Sequence, residues 1–136
     1  MDLNEIKETF SLFSDWESKY RYIIEIGKDV PEMSSEEKTE QNLIRGCQSQ
    51  VWLVHRVSTD GQIDFKIDSD AHIVRGLIAI ILSALNSKPP AEIINFDVAD
   101  LFSGLELMEH LSPTRGNGLR SMVEKIQSVA NRSMQS

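Results

Sequence analysis

Apolar residues at Ile73, Val74, Leu77, Ile78, Ile81, Leu82 and Leu85 recur at steps of three and four, the spacing that lines one long face of a helix. Asp68-Ser69-Asp70 precede the stripe as good helix-capping residues, and Pro89-Pro90 interrupt the pattern after it. Such a face must be covered along most of its length, so the stripe predicts a central core helix with the rest of the chain packed round it. With 136 residues, 40% of them apolar, the chain is long enough to do this as one domain over residues 1–136, without disulfides, a metal or a partner.

The covering elements can be read on either side of the stripe. Leu3, Ile6, Phe10 and Phe13 define a first amphipathic helix. Ser14 and Glu17 have capping-box spacing ahead of Trp16, Tyr20, Ile23 and Ile24, and Gly27 suits a left-handed stop before Pro31. Residues Asp29 to Glu40 hold five acids and one lysine without an apolar period, and read as a solvated loop. Leu43-Ile44 and Val51 to Val57 then read as two strands separated by a glycine-containing turn.

Ile63, Phe65 and Ile67 alternate with polar residues after Asp60-Gly61, a favoured two-residue hairpin turn. That turn would set Trp52 opposite Ser69 and Val54 opposite Ile67, pointing Trp52, Val54, Phe65 and Ile67 at the core. A three-residue loop would turn the other face inward. After the prolines, shorter helical pieces cover Ala91 to Asn95 and Val98 to His110, the latter interrupted by Gly104. Ser112-Pro113 suits another helix start, Gly116-Asn117-Gly118 reads as a turn, and Leu119, Met122, Val123, Ile126 and Val129 line a final helix before a polar tail. The expected class is α+β: a small antiparallel sheet packed against several helices.

Charge excludes some functions. Fourteen basic against 21 acidic residues give a formal charge of −7, which disfavours nucleic acid as a partner. Glu92 to Glu109 holds five acids and no lysine or arginine, and four bases against one acid follow His110, an asymmetry suited to solvated surface or electrostatic docking. The longest apolar run, Leu77 to Leu82, is far too short to span a bilayer. Met1 to Glu8 has neither the basic start nor the apolar stretch of a secretory signal. No membrane association and a cytoplasmic location are expected.

Cys47 is the sole cysteine, so the chain alone forms no disulfide and no multi-cysteine metal or cluster site. It sits in Arg45-Gly46-Cys47-Gln48-Ser49-Gln50, where glycine permits a sharp turn and small polar residues flank the thiol. Such a loop can present a thiolate to another protein, and Arg45 is a cation of the kind that favours the ionised form. A buried, inert cysteine is the competing reading. His55, His72 and His110 fall on a strand, a helix start and a helix end without catalytic spacing, and none receives a role. No glycine-rich phosphate loop is present.

Four groups of residues, in order and spacing over roughly residues 12–130, resemble the SufE family. They are Trp16 to Tyr20, Gly46 to Trp52, Asp68 to Ala71 with Ile73 to Leu77, and Leu111 to Pro113 with Arg115 and Gly118-Leu119. Gln48-Ser49-Gln50 look like the Suf-pathway branch of that family. The resemblance implies an α+β fold similar to the U-type cluster scaffold. It further implies a sulfur-acceptor protein that binds and stimulates a cysteine desulfurase of the SufS type and passes persulfide sulfur toward iron–sulfur assembly such as the SufBCD complex.

On that resemblance Cys47 is the persulfide acceptor, and Gly46, Gln48, Ser49, Gln50, Asp70 and Arg115 are candidates for holding the loop or meeting the partner. Asp70 serves equally as a helix cap, and Arg115 as a turn or ion-pair residue. No cofactor or metal is expected on this chain, the pyridoxal phosphate belonging to the desulfurase. It would then be a carrier and activator and not a free-standing metabolic enzyme. A non-chemical allosteric adaptor and an independent cysteine-dependent hydrolase or transferase are the alternatives.

Overall fold

A computed structural model describes residues 2–47 and 49–135. Its order is α1 (Leu3–Ser11), α2 (Trp16–Gly27), a 3-10 turn (Glu40–Asn42), β1 (Val51–Val57), β2 (Ile63–Ser69), α3 (His72–Leu85), α4 (Pro90–Asn95), α5 (Val98–Gly104), α6 (Leu107–His110) and α7 (Pro113–Gln135). The architecture is the expected α+β: seven helices and a two-stranded antiparallel sheet among the described residues.

The stripe of α3 is the centre of the core. Ile73, Val74, Leu77, Ile78, Ile81 and Leu85 are buried, and so are Ile80 and Ala84 on its other side. A helix apolar nearly all round has to be enclosed. The faces of α1 and α2, the inner face of the sheet and α7 enclose it.

Two helices cross unusually close. A Cβ on Gly76 of α3 would lie 2.1 Å from the Ile23 carbonyl oxygen of α2, and one on Gly27 would lie 2.6 Å from the Gly76 backbone nitrogen. Gly27 therefore does not supply the expected left-handed stop. It ends α2 in helical conformation, with Lys28 as a right-handed cap, and its missing side chain admits α3.

Gly76→Ala should accordingly lower stability. Overpacking costs about 1–3 kcal/mol, more where the clash is with backbone, and the gain in helix propensity of roughly 1 kcal/mol does not offset it. Gly104→Ala, with nothing within 4 Å of the new Cβ, should leave stability unchanged or slightly raised. Denaturant midpoints at unchanged slope measure both.

The start of α2 also differs in detail. Asp15, and not Ser14, is the N-cap, and its carboxylate accepts from the Ser18 amide at 2.9 Å. The hairpin differs by one residue of register. Its loop runs over Ser58 to Gln62, where the Ser58 amide donates to the Gln62 carbonyl at 2.8 Å and Gly61 takes a φ of 85°. Val51 therefore pairs with Ser69, Leu53 with Ile67 and His55 with Phe65.

Because side chains alternate, an odd loop turns the other β1 face inward. Val51 and Leu53 take the core places expected for Trp52 and Val54, while Phe65 and Ile67 point inward as expected. Trp52 is nonetheless buried, on the outer face, where Leu43 bridges to it and the Lys38 ammonium lies 5.3 Å from its ring centroid.

That outer cover comes from the segment expected to be a solvated loop. Val30 and Met33 are buried, and the Met33 amide donates to Asp68 at 2.9 Å. Asp68 also accepts from the Ser69 amide and pairs with Arg75, whose guanidinium donates to the Val30 carbonyl. The expected first strand at Leu43-Ile44 reduces to the single Leu43–Trp52 bridge.

These commitments explain why Asp68-Ser69-Asp70 do not provide the N-cap of α3. Ala71 takes that position without a side-chain bond, while Ser69 Oγ accepts from the Ala71 amide. The last helix is longer than expected. It starts at Pro113, with Ser112 Oγ accepting from the Arg115 amide at 3.3 Å, and runs without a turn through Gly116-Asn117-Gly118 and the polar tail to Gln135. Each glycine inside a helix costs about 1 kcal/mol against alanine, so the pair calls for a packing reason.

Candidate functional site

The loop carrying Cys47 is closed at its base. The Ile44 amide donates to the Val51 carbonyl at 2.8 Å, leaving Arg45 to Cys47, and Ser49 and Gln50, to project from the start of β1. Gly46 turns the chain with a φ of 92°, a left-handed conformation suited to glycine. At the far end, Asp70 holds Gln50 by two bonds: its carboxylate accepts from the Gln50 amide at 3.1 Å, and its amide donates to the Gln50 carbonyl at 3.3 Å.

The loop lies against α7. Cys47 is half-buried, and its thiol donates to the Gly118 carbonyl at 3.6 Å. A Cβ on Gly118 would lie 3.5 Å from Cys47 Sγ, and one on Gly116 would lie 3.0 Å from the Met108 side chain. Both glycines of the supposed turn are thus helical residues in packing contact, Gly116 tightly against the end of Met108 and Gly118 at ordinary van der Waals range from Cys47.

Cys47 separates two spaces. On the inner side is a cavity of about 50 Å³ walled by Val51, Val74, Leu77, Leu119 and Met122, with Ser49, Thr114 and Arg115 at the polar margin. One water needs roughly 10–15 Å³ by such a measure, so a group the size of a sulfur atom fits. On the outer side is an open groove of about 200 Å³ lined by Glu40, Leu43, Ile44, Arg45, Ser49 and Gln50.

Burial pushes the Cys47 thiol above its ordinary pKa, and no neighbouring charge counters it. Arg45, read from sequence as a cation favouring the thiolate, is exposed in the outer groove and does not lower the thiol. At neutral pH the group rests as a thiol, the form that can donate to Gly118.

The structure therefore brings Cys47, Ser49 and Arg115 to one cavity, sets Gly46 and Gln50 at the two shoulders of the loop, and ties Asp70 to Gln50. Gln48 lies outside the described residues. Among the described residues neither space beside Cys47 is lined by a histidine. His55 and His72 are exposed, and His110 stacks on Trp16 at 4.4 Å with Nδ1 3.1 Å from the Glu106 carbonyl oxygen. The one cluster of potential metal ligands among the described residues, Glu106, Glu109 and His110, is exposed and excludes Cys47.

The wall residues Val74, Leu77 and Met122 were legible only as core, and Ser121, which faces Gly46, gave no signal. No helix among the described residues is long and apolar enough to cross a membrane.

Comparison with known proteins agrees with this architecture. The fold is similar to the solution structure of a hypothetical protein from Thermus thermophilus, with a TM-score of 0.77, 18% identity, and coverage of 98% of this chain and 96% of that one. The chain is 48% identical over 131 residues to a SufE-like protein of Rhizobium etli, covering 94% of this chain and 88% of that protein. It is 46% identical over 131 residues to a SufE-like protein of Rhizobium meliloti strain 1021, covering 94% of each. Residues 4–130 match the family described as SufE, Fe-S metabolism associated domain, and with these relatives the chain belongs to the SufE family.

Proposed function

We propose that this protein carries persulfide sulfur on Cys47, taking it from a cysteine desulfurase of the SufS type, which it also stimulates, and delivering it to iron–sulfur cluster assembly such as the SufBCD complex. The observation that carries this reading is a sole cysteine on a loop, its thiol sheltered against α7 beside an apolar cavity with room for one more sulfur.

The chemistry needs only the thiol. The thiolate is the nucleophile, so the resting thiol is protected, and movement of the loop into water restores its ordinary acidity and releases the proton to solvent. Cys47 thiolate attacks the outer sulfur of the desulfurase persulfide. The new S–S bond forms on Cys47, the old one breaks, and the desulfurase thiolate leaves. An acceptor thiolate later attacks the outer sulfur of the Cys47 persulfide, and Cys47 leaves in turn.

Between the two steps the loop returns to α7, where the outer sulfur faces Val51, Val74, Leu77, Leu119 and Met122 and is shielded from reductants. The pyridoxal phosphate that cleaves the C–S bond of free cysteine belongs to the desulfurase. Gly46, Ser49 and Gln50 form the moving part, with Asp70 holding its C-terminal end and Arg115 at the cavity margin, and these residues together with Gln48 are the candidates for meeting the desulfurase.

Incubation with a SufS-type desulfurase and free cysteine should add the mass of one sulfur atom, removable by reductant, as read by intact-protein mass spectrometry. No gain beside an active desulfurase would overturn the carrier role.

A further inference from the structure

We infer that Gly118 and Ser121 of α7 are positioning residues that form the seat of the cysteine loop and set how often Cys47 leaves its shelter; this rests on the carrier reading above. The two positions are three residues apart, so they share one face of the helix. Both meet the loop. A Cβ on Gly46 would lie 2.6 Å from Ser121 Oγ, and a Cβ on Gly118 would lie within 3.5–3.8 Å of Cys47 Sγ, Cα and Cβ.

The loop thus rests on the helix through its two smallest surfaces. The Gly118 carbonyl also accepts from the thiol at 3.6 Å, so the seat engages the reacting atom as well as the backbone beside it. Leu119 and Met122 on the same helix wall the cavity.

The distances give the seat a size limit. At Gly118 an alanine Cβ makes ordinary van der Waals contact with Cys47, whereas a larger side chain has to enter space that Cys47 fills. The Ser121 hydroxyl occupies the space a Cβ on Gly46 would take, so a bulkier branched side chain at position 121 would press on the loop there. Enlarging either residue therefore lifts the loop without touching Cys47 itself. Lifted into water, the thiol loses the burial that raises its pKa.

The test is the rate of Cys47 alkylation by iodoacetamide across pH, with the free protein and no desulfurase. Wild type should react slowly, with an apparent pKa above that of free cysteine. Gly118→Val and Ser121→Val should react about tenfold faster at neutral pH, with the apparent pKa moving down toward the free-cysteine value. Gly118→Ala should keep the wild-type profile.

Far-UV circular dichroism and a cooperative denaturant transition establish that each variant is folded, and Ser121→Val carries the test if Gly118→Val is not. Wild-type rates and pH profile in a folded valine variant would overturn the proposal. So would an alanine variant that opens as far as the valine one, since helix substitution alone would then account for the effect. A failure of sulfur acceptance would show instead in the mass experiment and would leave these rates unchanged.

Discussion

Cys47→Ser is expected to abolish sulfur acceptance completely while the fold is retained. The exchange removes the one atom able to form a persulfide and leaves a side chain of similar shape that can still donate to the Gly118 carbonyl. Intact mass after incubation with desulfurase and cysteine should show no added sulfur, and the unfolding midpoint should stay close to that of wild type. Full sulfur acceptance by the serine protein would sink the carrier reading.

Desulfurase turnover by the same variant separates the remaining possibilities. Undiminished stimulation without sulfur on the wild-type chain would make the protein an allosteric adaptor. Turnover of a small substrate by wild type without any desulfurase would instead indicate an independent hydrolase or transferase, although no histidine lines either space beside the thiol among the described residues.

Asp68→Ala should cause the largest loss of stability. The Asp68 side chain is 1% exposed and the Arg75 side chain 14% exposed. Between them they tie β2 and α3 to the Met33 amide and the Val30 carbonyl, and Lys38 stands 3.7 Å from the same carboxylate. Removing the acid leaves the guanidinium without its buried counter-ion and the Met33 amide without its acceptor. Breaking such a pair costs about 3–5 kcal/mol.

A denaturant transition should show that loss, and limited proteolysis should cut first in residues 29–44, the segment the carboxylate holds down. Replacing both partners by apolar residues, as in Asp68→Leu with Arg75→Met, should recover part of the stability, because neither charge then stays buried alone. An Asp68→Ala protein as stable and protease-resistant as wild type would show that the cluster does not anchor the segment.

Which features were legible from sequence follows the range of the interactions that decide them. The α3 stripe, the inward faces of α1 and α7, and the loop setting of the cysteine depend on local periodicity and composition, and they were read correctly. The hairpin register was not, because it depends on the parity of a loop. Asp60-Gly61 looks sufficient as a turn, but the Ser58–Gln62 bond closes a longer one and reverses every β1 side chain.

Asp68, Ser69 and Asp70 look like helix caps within their own window. Their partners, Arg75, Met33, Ala71 and Gln50, lie as far as 35 residues away. Gly116 and Gly118 mark a turn by local propensity, yet both lie within α7, and the residue that packs on Gly118 is Cys47, 71 positions earlier. Two glycines in a helical pattern were the available signal, and it read as a break because the cysteine loop that packs on this stretch of helix is invisible at that range.

The closed base of the cysteine loop has a consequence for delivery. With the Ile44 amide fixed to the Val51 carbonyl, Cys47 is only three peptide units from a stationary point. A fully extended chain covers about 3.3–3.6 Å per residue, so its Cα travels no farther than about 10 Å from Ile44. This is a short tether and not a swinging arm. Donor and acceptor must each bring their own sulfur to the face of this protein, and the two cannot be served at once by sweeping cargo across a gap. Handover is therefore a matter of exchanging partners at one place on the surface.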